Sequence, residues 1–195
     1  MGEIRAVNNR ITAFLILTTG LASCASPPTG KPIALPPPPS GFVWHTAQNG
    51  AGSFLRPDDW FVKEEVSNET SAVFITRERI EAGGRFTVGL TVNRLAQFSK
   101  HSSVKPSVYA QQYVQALRSH PEVLKGGVVK GNASDMHVAR IRGTNNGVST
   151  IVHHIAIGID SKDAVFIILF EAPETEWEQS FASGKPMLNS FILGT

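Results

Sequence analysis

The adjacent histidines His153-His154 are the residues best equipped for metal binding or proton transfer, because imidazole titrates near neutral pH and ligates divalent metals. They fall within a β-rich run, however, where neighbouring side chains point to opposite faces. One metal therefore cannot take both without distortion. The pattern predicts one ring packed on a helix-covered face and the other on the opposite side. His101, His120 and His137 stand at loop or helix boundaries, with no carboxylate at a recognisable ligand spacing. Asp58-Asp59 has the composition of an acid–base pair, but after Pro57 it reads as a turn that bonds backbone amides. No serine lies in a Gly-x-Ser-x-Gly elbow. Gly83-Gly84 and Gly126-Gly127 lack a following Lys-Ser/Thr, so both read as turns rather than phosphate cradles. The sequence thus predicts no catalytic residue, no metal ligand set and no cofactor.

Four arginines invite a different reading. Arg77 with Arg79, and Arg140 with Arg142, are each spaced by two, which puts two guanidiniums on one face of a strand. Were those strands neighbours, the four would form a basic band suited to carboxylates, phosphates or lipid headgroups. The competing and favoured expectation is that their stems cover apolar surface while their heads are solvated or paired with Glu78, Glu81 or Asp135.

Cys24 is the only cysteine of the chain's 195 residues. It follows Leu21-Ala22-Ser23, which closes an apolar run from Ile11 to Gly20 preceded by Arg5 and Arg10. A positive segment, a short apolar segment and small residues at a cleavage point, in that order, are the marks of a secretory signal. The run is shorter than the roughly 20 residues a membrane span needs. Leu21–Cys24 resembles a bacterial lipobox, whose cysteine thiol receives diacylglycerol before cleavage on its amino side. That reading makes 1–23 a lipoprotein signal peptide and Cys24 the lipidation site, tying the chain to a membrane by lipid. Residue 25 is Ala rather than the Asp that typically retains lipoproteins at the inner membrane of Gram-negative bacteria. In such a source the address expected is the outer membrane, facing the periplasm.

Arg5, Arg10 and Glu3 leave with the leader, so the formal charge of +2 becomes +1. That balance argues against a nucleic-acid partner, which calls for a clustered excess of basic residues. Residues 24–40 hold seven of the twelve prolines, a composition that favours an extended spacer over a core. Residues 41–195 are globular in pattern. Val73–Arg77 and Phe86–Val92 read as strands, and Pro106 opens a helix whose Tyr109, Ala110, Tyr113, Val114 and Leu117 share a stripe. Three further strands are expected: Val138–Arg142, Val148–Ile159 and Ala164–Phe170, with Asn145-Asn146-Gly147 turning between the first two. The last is continuously apolar and so central. Pro173 then suits the start of a helix carrying Trp177, Phe181, Gly184, Leu188 and Phe191 on one face, kinked or split at Pro186. Strands, helix, strands and helix with hairpin-length links predict an α+β fold.

The chain resembles the PsbP-like superfamily in its motifs. These are Phe54 with Arg56-Pro57-Asp58-Asp59-Trp60, then Tyr109–Tyr113, then Phe166–Pro173 with Trp177, Phe181 and Ser190-Phe191. The resemblance covers about residues 52–193. It implies an antiparallel β-sheet with helices packed on both faces. That superfamily includes an extrinsic subunit of the photosynthetic oxygen-evolving complex, a Ran-binding import factor and many bacterial lipoproteins, and its members share no catalytic constellation. The expectation is therefore a non-enzymatic lipoprotein of the cell envelope that docks or helps assemble an envelope protein partner, by fold-level analogy. The alternative is a small-molecule or lipid carrier with a pocket between sheet and helices lined by Tyr109, Tyr113 and Trp177. A hydrolase lacks a nucleophile–base pair. The sequence does not specify the oligomeric state.

Overall fold

A computed structural model describes residues 34–80, 85–131, 134–145 and 147–194. Cys24, the leader, most of the proline-rich tether, Glu81, Gly83-Gly84 and Asn146 lie outside the described residues. The compact unit runs Leu35–Thr195. Pro36 to Pro39, assigned above to the tether, touch it: the Trp44 indole donates to the Pro36 carbonyl at 2.7 Å, and the Phe42 amide to that of Pro39 at 3.1 Å.

Among the described residues there are two antiparallel sheets and two α-helices, an α+β fold. The small sheet is β1 (Phe42–Thr46), β2 (Gly52–Pro57) and β10 (Phe191–Leu193), in the order β1-β2-β10. The large sheet is built from β3 (Phe61–Ser67), β4 (Thr70–Thr76), β5 (Gly89–Leu95), β6 (Val123–Val129), β7 (Met136–Asn145), β8 (Val148–Ile159) and β9 (Ala164–Pro173). Its order is β3-β4-β5-β9-β8-β7-β6. Helix α1 spans Pro106–Arg118 and α2 spans Trp177–Asn189.

The alternation along β9 sorts the two cores. Ala164, Phe166, Ile168, Phe170 and Ala172 enter a core shared with Trp177, Met187 and Leu188 of α2 and with Phe54 of the small sheet. Val165 and Ile167 enter a second core with Ala110 and Val114 of α1. The helices thus cover opposite faces, as the apolar run Ala164–Phe170 requires of a strand buried on both sides. Two glycines admit the helices. A Cβ at Gly158 would lie 2.1 Å from the Pro106 carbonyl carbon, and one at Gly184 would lie 2.3 Å from the Phe170 ring.

Helix α1 begins at Pro106, whose missing amide hydrogen costs nothing at a first helical position. The exposed amide of Ser107 is capped from a distance: it donates to Asp160 Oδ1 at 2.9 Å, and its hydroxyl to Oδ2 at 2.9 Å.

Several local expectations change. Gly126-Gly127 is no turn but the middle of β6, so four strands of the large sheet follow α1 rather than three. The Arg118 side chain lies where a Gly126 Cβ would sit, its Nε 2.8 Å away. Pro173 ends β9; a 3-10 turn at Glu174–Glu176 intervenes before α2. Helix α2 runs through Pro186 without splitting. Phe191 belongs to β10, pairing with Phe54, and Phe181 is half-buried rather than buried.

Candidate functional site: a basic row beside two aromatic rings

Register across the large sheet aligns Lys125 of β6, Arg140 of β7, His153 of β8 and Phe170 of β9 in one row. Directly opposed residues share a face, and Phe170 lies in the α2-side core, so the row faces α2. The Arg140 guanidinium carbon stands 4.8 Å from the centre of the Trp177 ring and 4.4 Å from that of Phe181. Such stacking suits a planar, weakly hydrated guanidinium. Trp177 and Phe181 lie stacked on each other, 4.9 Å apart.

Partial burial lowers the Arg140 pKa, with Glu178 acting in the opposite sense. The guanidinium still carries its charge, since arginine starts so far above neutrality. No carboxylate bonds it or Lys125 among the described residues. Next in the row, the His153 ring meets Phe181 edge-on at 5.6 Å. Its pKa is pushed down to about 4, first by burial and then by the positive charges of Arg140, His154 and Lys125. His153 is therefore neutral at pH 7. Arg140 Nε and His153 Nδ1 are both buried without a hydrogen-bond partner. Two adjacent cations, one held rigidly on aromatic rings, suit a carboxylate or another anionic group.

The four arginines do not form one band. Strands β5, β9 and β8 separate β4 from β7, and Arg77 and Arg79 lie beyond the end of β4. Arg77 pairs with Glu176 at 2.9 Å. Arg142 holds Glu174 through Nε at 2.8 Å and Nη2 at 2.6 Å, and Glu122 through Nη1 at 3.2 Å. The acidic turn leading into α2 thus neutralises two of the four. Arg79 lies over Phe61, 4.9 Å from the ring centre. Among the described residues no carboxylate bonds Arg79 or Arg140, and of these two Arg140 is the one beside a second cation, Lys125. Sequence reading missed Lys125 because the glycines beside it conceal the strand, and missed His153 as part of a row because its partners depend on register.

The histidine pair divides as expected. His154 points to the α1 side, its Nδ1 3.0 Å from the Tyr113 hydroxyl. Burial pushes its pKa down to about 4 and, with Tyr109 adding to the effect, pushes Tyr113 up to about 12. This is a packed polar pair inside the fold. Glu171 is a further buried group, raised to about 7 by burial and by the charge of Glu78. Asp58 and Asp59 are exposed, and what closes their turn is Arg56, whose Nη1 donates to the carbonyls of Pro57, Asp58 and Trp60 at 3.0, 2.9 and 2.8 Å.

The pocket imagined for a carrier does not assemble. Tyr109 and Tyr113 pack in the α1-side core and Trp177 in the α2-side core, with the sheet between them. A cleft of about 430 Å³ is lined instead by Ser107, Gln111, Asp135, His137 and Asp160.

No family model matches the sequence, and no curated protein does. Solved structures with a similar arrangement include cyanobacterial PsbP (CyanoP) from Synechocystis sp. PCC 6803, at 12% identity and a TM-score of 0.49, over 86% of this chain and 99% of that one. LpqN of Mycobacterium tuberculosis, described as involved in cell envelope biogenesis, aligns at 15% identity and a TM-score of 0.48, over 79% and 91%. A Bacteroides thetaiotaomicron protein aligns at 12% identity and a TM-score of 0.48 over 78% of this chain, which spans only 48% of that protein. Likeness at this level concerns architecture and carries nothing about activity.

Proposed function

We propose that this chain is a lipid-anchored, non-enzymatic lipoprotein of the cell envelope whose folded domain docks an acidic envelope protein. The observation that carries the docking half is Arg140, stacked on Trp177 and Phe181 and bonded to no carboxylate, with Lys125 beside it. A cation held this way has little freedom left to lose on binding, so an arriving carboxylate gains more from it than from a mobile side chain. The anchoring half rests on Leu21–Cys24 and the apolar run before it. A diacylglycerol together with an amine-linked acyl chain exceeds the two signals that stable membrane attachment needs. The tether then holds the domain off the bilayer, with Ala25 favouring the outer membrane in a Gram-negative source.

Each half has its own test. Cys24→Ser should remove metabolic labelling by a fatty acid, because only the thiol accepts the diacylglycerol; equal label on the variant contradicts the anchor. Lys125→Glu should lower recovery of a crosslinked envelope partner at least tenfold while leaving the melting temperature unchanged, since Lys125 is exposed and holds no ion pair. Undiminished recovery contradicts the docking site. Arg140→Lys separates charge from stacking: it keeps the former, loses the planar fork, and should give intermediate recovery.

A further inference from the structure

Resting on that docking reading, we propose that the partner is bound as an extended acidic segment that adds to the large sheet as a strand alongside β6. Strand β6 is an outer strand, paired only with β7. It reads Val123-Leu124-Lys125-Gly126-Gly127-Val128-Val129, and five of its seven residues are exposed. Leu124, Val128 and Val129 leave 42%, 46% and 48% of their surfaces open. An outer strand presents a row of unpaired amides and carbonyls to any chain that can lie beside it.

The opposite edge shows what a guarded strand looks like. On β3, Lys63 and Glu65 pair at 2.8 Å, and the Arg79 guanidinium stands over the partly exposed Phe61 ring. Glu64 is held by His45 at 2.7 Å and by the Gln48 amide at 3.0 Å. Strand β6 carries a single charge, Lys125, and a bulge at Leu124 that leaves Lys125–Val129 in regular register with β7.

Charge selects the occupant. Lys125 lies on the α2 side of β6 with Arg140 behind it, and the Arg118 side chain packs over Gly126 on the α1 side. Both faces of the edge are therefore basic. A strand added there places alternate side chains over each face, so carboxylates at every second position meet the cations of whichever face they cover. A second copy of β6 would bring Lys125 and Arg118 against their own like charges, which disfavours self-pairing. Strand addition draws affinity from main-chain bonds and specificity from alternate side chains.

The probe is a blocked heptapeptide of alternating Val and Glu, mixed with the full chain and followed by binding and by hydrogen exchange of residues 123–129. Two controls carry the same charge: the peptide N-methylated at every residue, which blocks both of its edges, and a heptapeptide of alternating Pro and Glu. The expected result is binding of the first peptide with at least tenfold slowed exchange in β6, and at least tenfold weaker binding of both controls. Equal binding of all three, with β6 exchange unchanged, overturns strand addition and leaves an electrostatic docking surface. No binding by any peptide overturns strand addition as well; partner recovery that still falls on Lys125→Glu would then keep the docking reading. A dimer paired through β6 in solution would overturn the acidic-segment assignment.

Discussion

The free energy of unfolding is expected to peak near pH 7 and to fall by about 2 kcal/mol by pH 4.5. Three buried groups set that window. His153 and His154 drop from an ordinary 6.5 to about 4 in the folded chain. Between those values the unfolded chain holds two protons that the folded chain refuses, so acid favours unfolding. Glu171 works the other way, rising from 4.5 to about 7: its folded form keeps a proton that the unfolded form has released. From pH 4.5 to about 5.5 the unfolded state therefore binds about one more proton than the folded state, a slope of about 1.4 kcal/mol per pH unit that fades toward neutrality. At pH 6.5 the unfolded histidines are still half-protonated and slightly outweigh the proton that folded Glu171 keeps; the two balance near pH 7, where stability levels off. Glu69, Asp135 and Glu174, whose carboxyls are held low, add their losses only at more acid pH. Glu171→Gln removes the opposing proton and should steepen the fall between pH 6.5 and 4.5 to about 4 kcal/mol. Chemical denaturation across pH measures both slopes. A flat profile in the wild type, or an unaltered slope in the variant, would contradict the assigned burial of these groups.

Gly158→Ala should destabilise the fold by about 3 kcal/mol, the upper end of overpacking costs. Strand propensity alone predicts the opposite sign, since glycine within a strand costs roughly 0.5–1 kcal/mol relative to alanine. Contact geometry decides the matter. The added Cβ would sit 2.1 Å from the Pro106 carbonyl carbon and oxygen. Backbone cannot turn aside as a side chain can, so the start of α1 must lift from β8. Displacing it strains the Asp160 cap on Ser107 and the packing of Ala110 and Val114. Urea denaturation reads the change; a neutral or stabilising substitution would mean that α1 does not approach the sheet as described.

The large elements were legible in the sequence because their signals are local. Ala164–Phe170 declares a strand covered on both sides by its unbroken apolar run, and Asn145 with Gly147 declares a hairpin, Gly147 adopting φ +80°. The stripe Tyr109–Leu117 does the same for α1. Strand β6 was hidden because Gly126-Gly127 is a turn by composition, and the strand it pairs with, β7, lies further along the chain. Pro186 looked like a helix breaker, yet α2 continues through it, held by Trp177, Met187 and Leu188 in the core. Of the candidate site, Arg140 was visible by its spacing. Its neighbours were not, because a cross-strand row depends on which strands pair and in what register. The same dependence undid the four-arginine band: i, i+2 spacing fixes a face within one strand and says nothing of the strands between.

The docking claim is tested most directly by partner affinity as a function of salt. Wild-type affinity should fall steadily as ionic strength rises, because charges on a surface are screened within about 8–10 Å near physiological salt. The double variant Lys125→Glu, Arg140→Gln should bind at least tenfold more weakly at low salt and lose most of that dependence. A wild-type affinity indifferent to salt, or a double variant indistinguishable from it, would contradict the account.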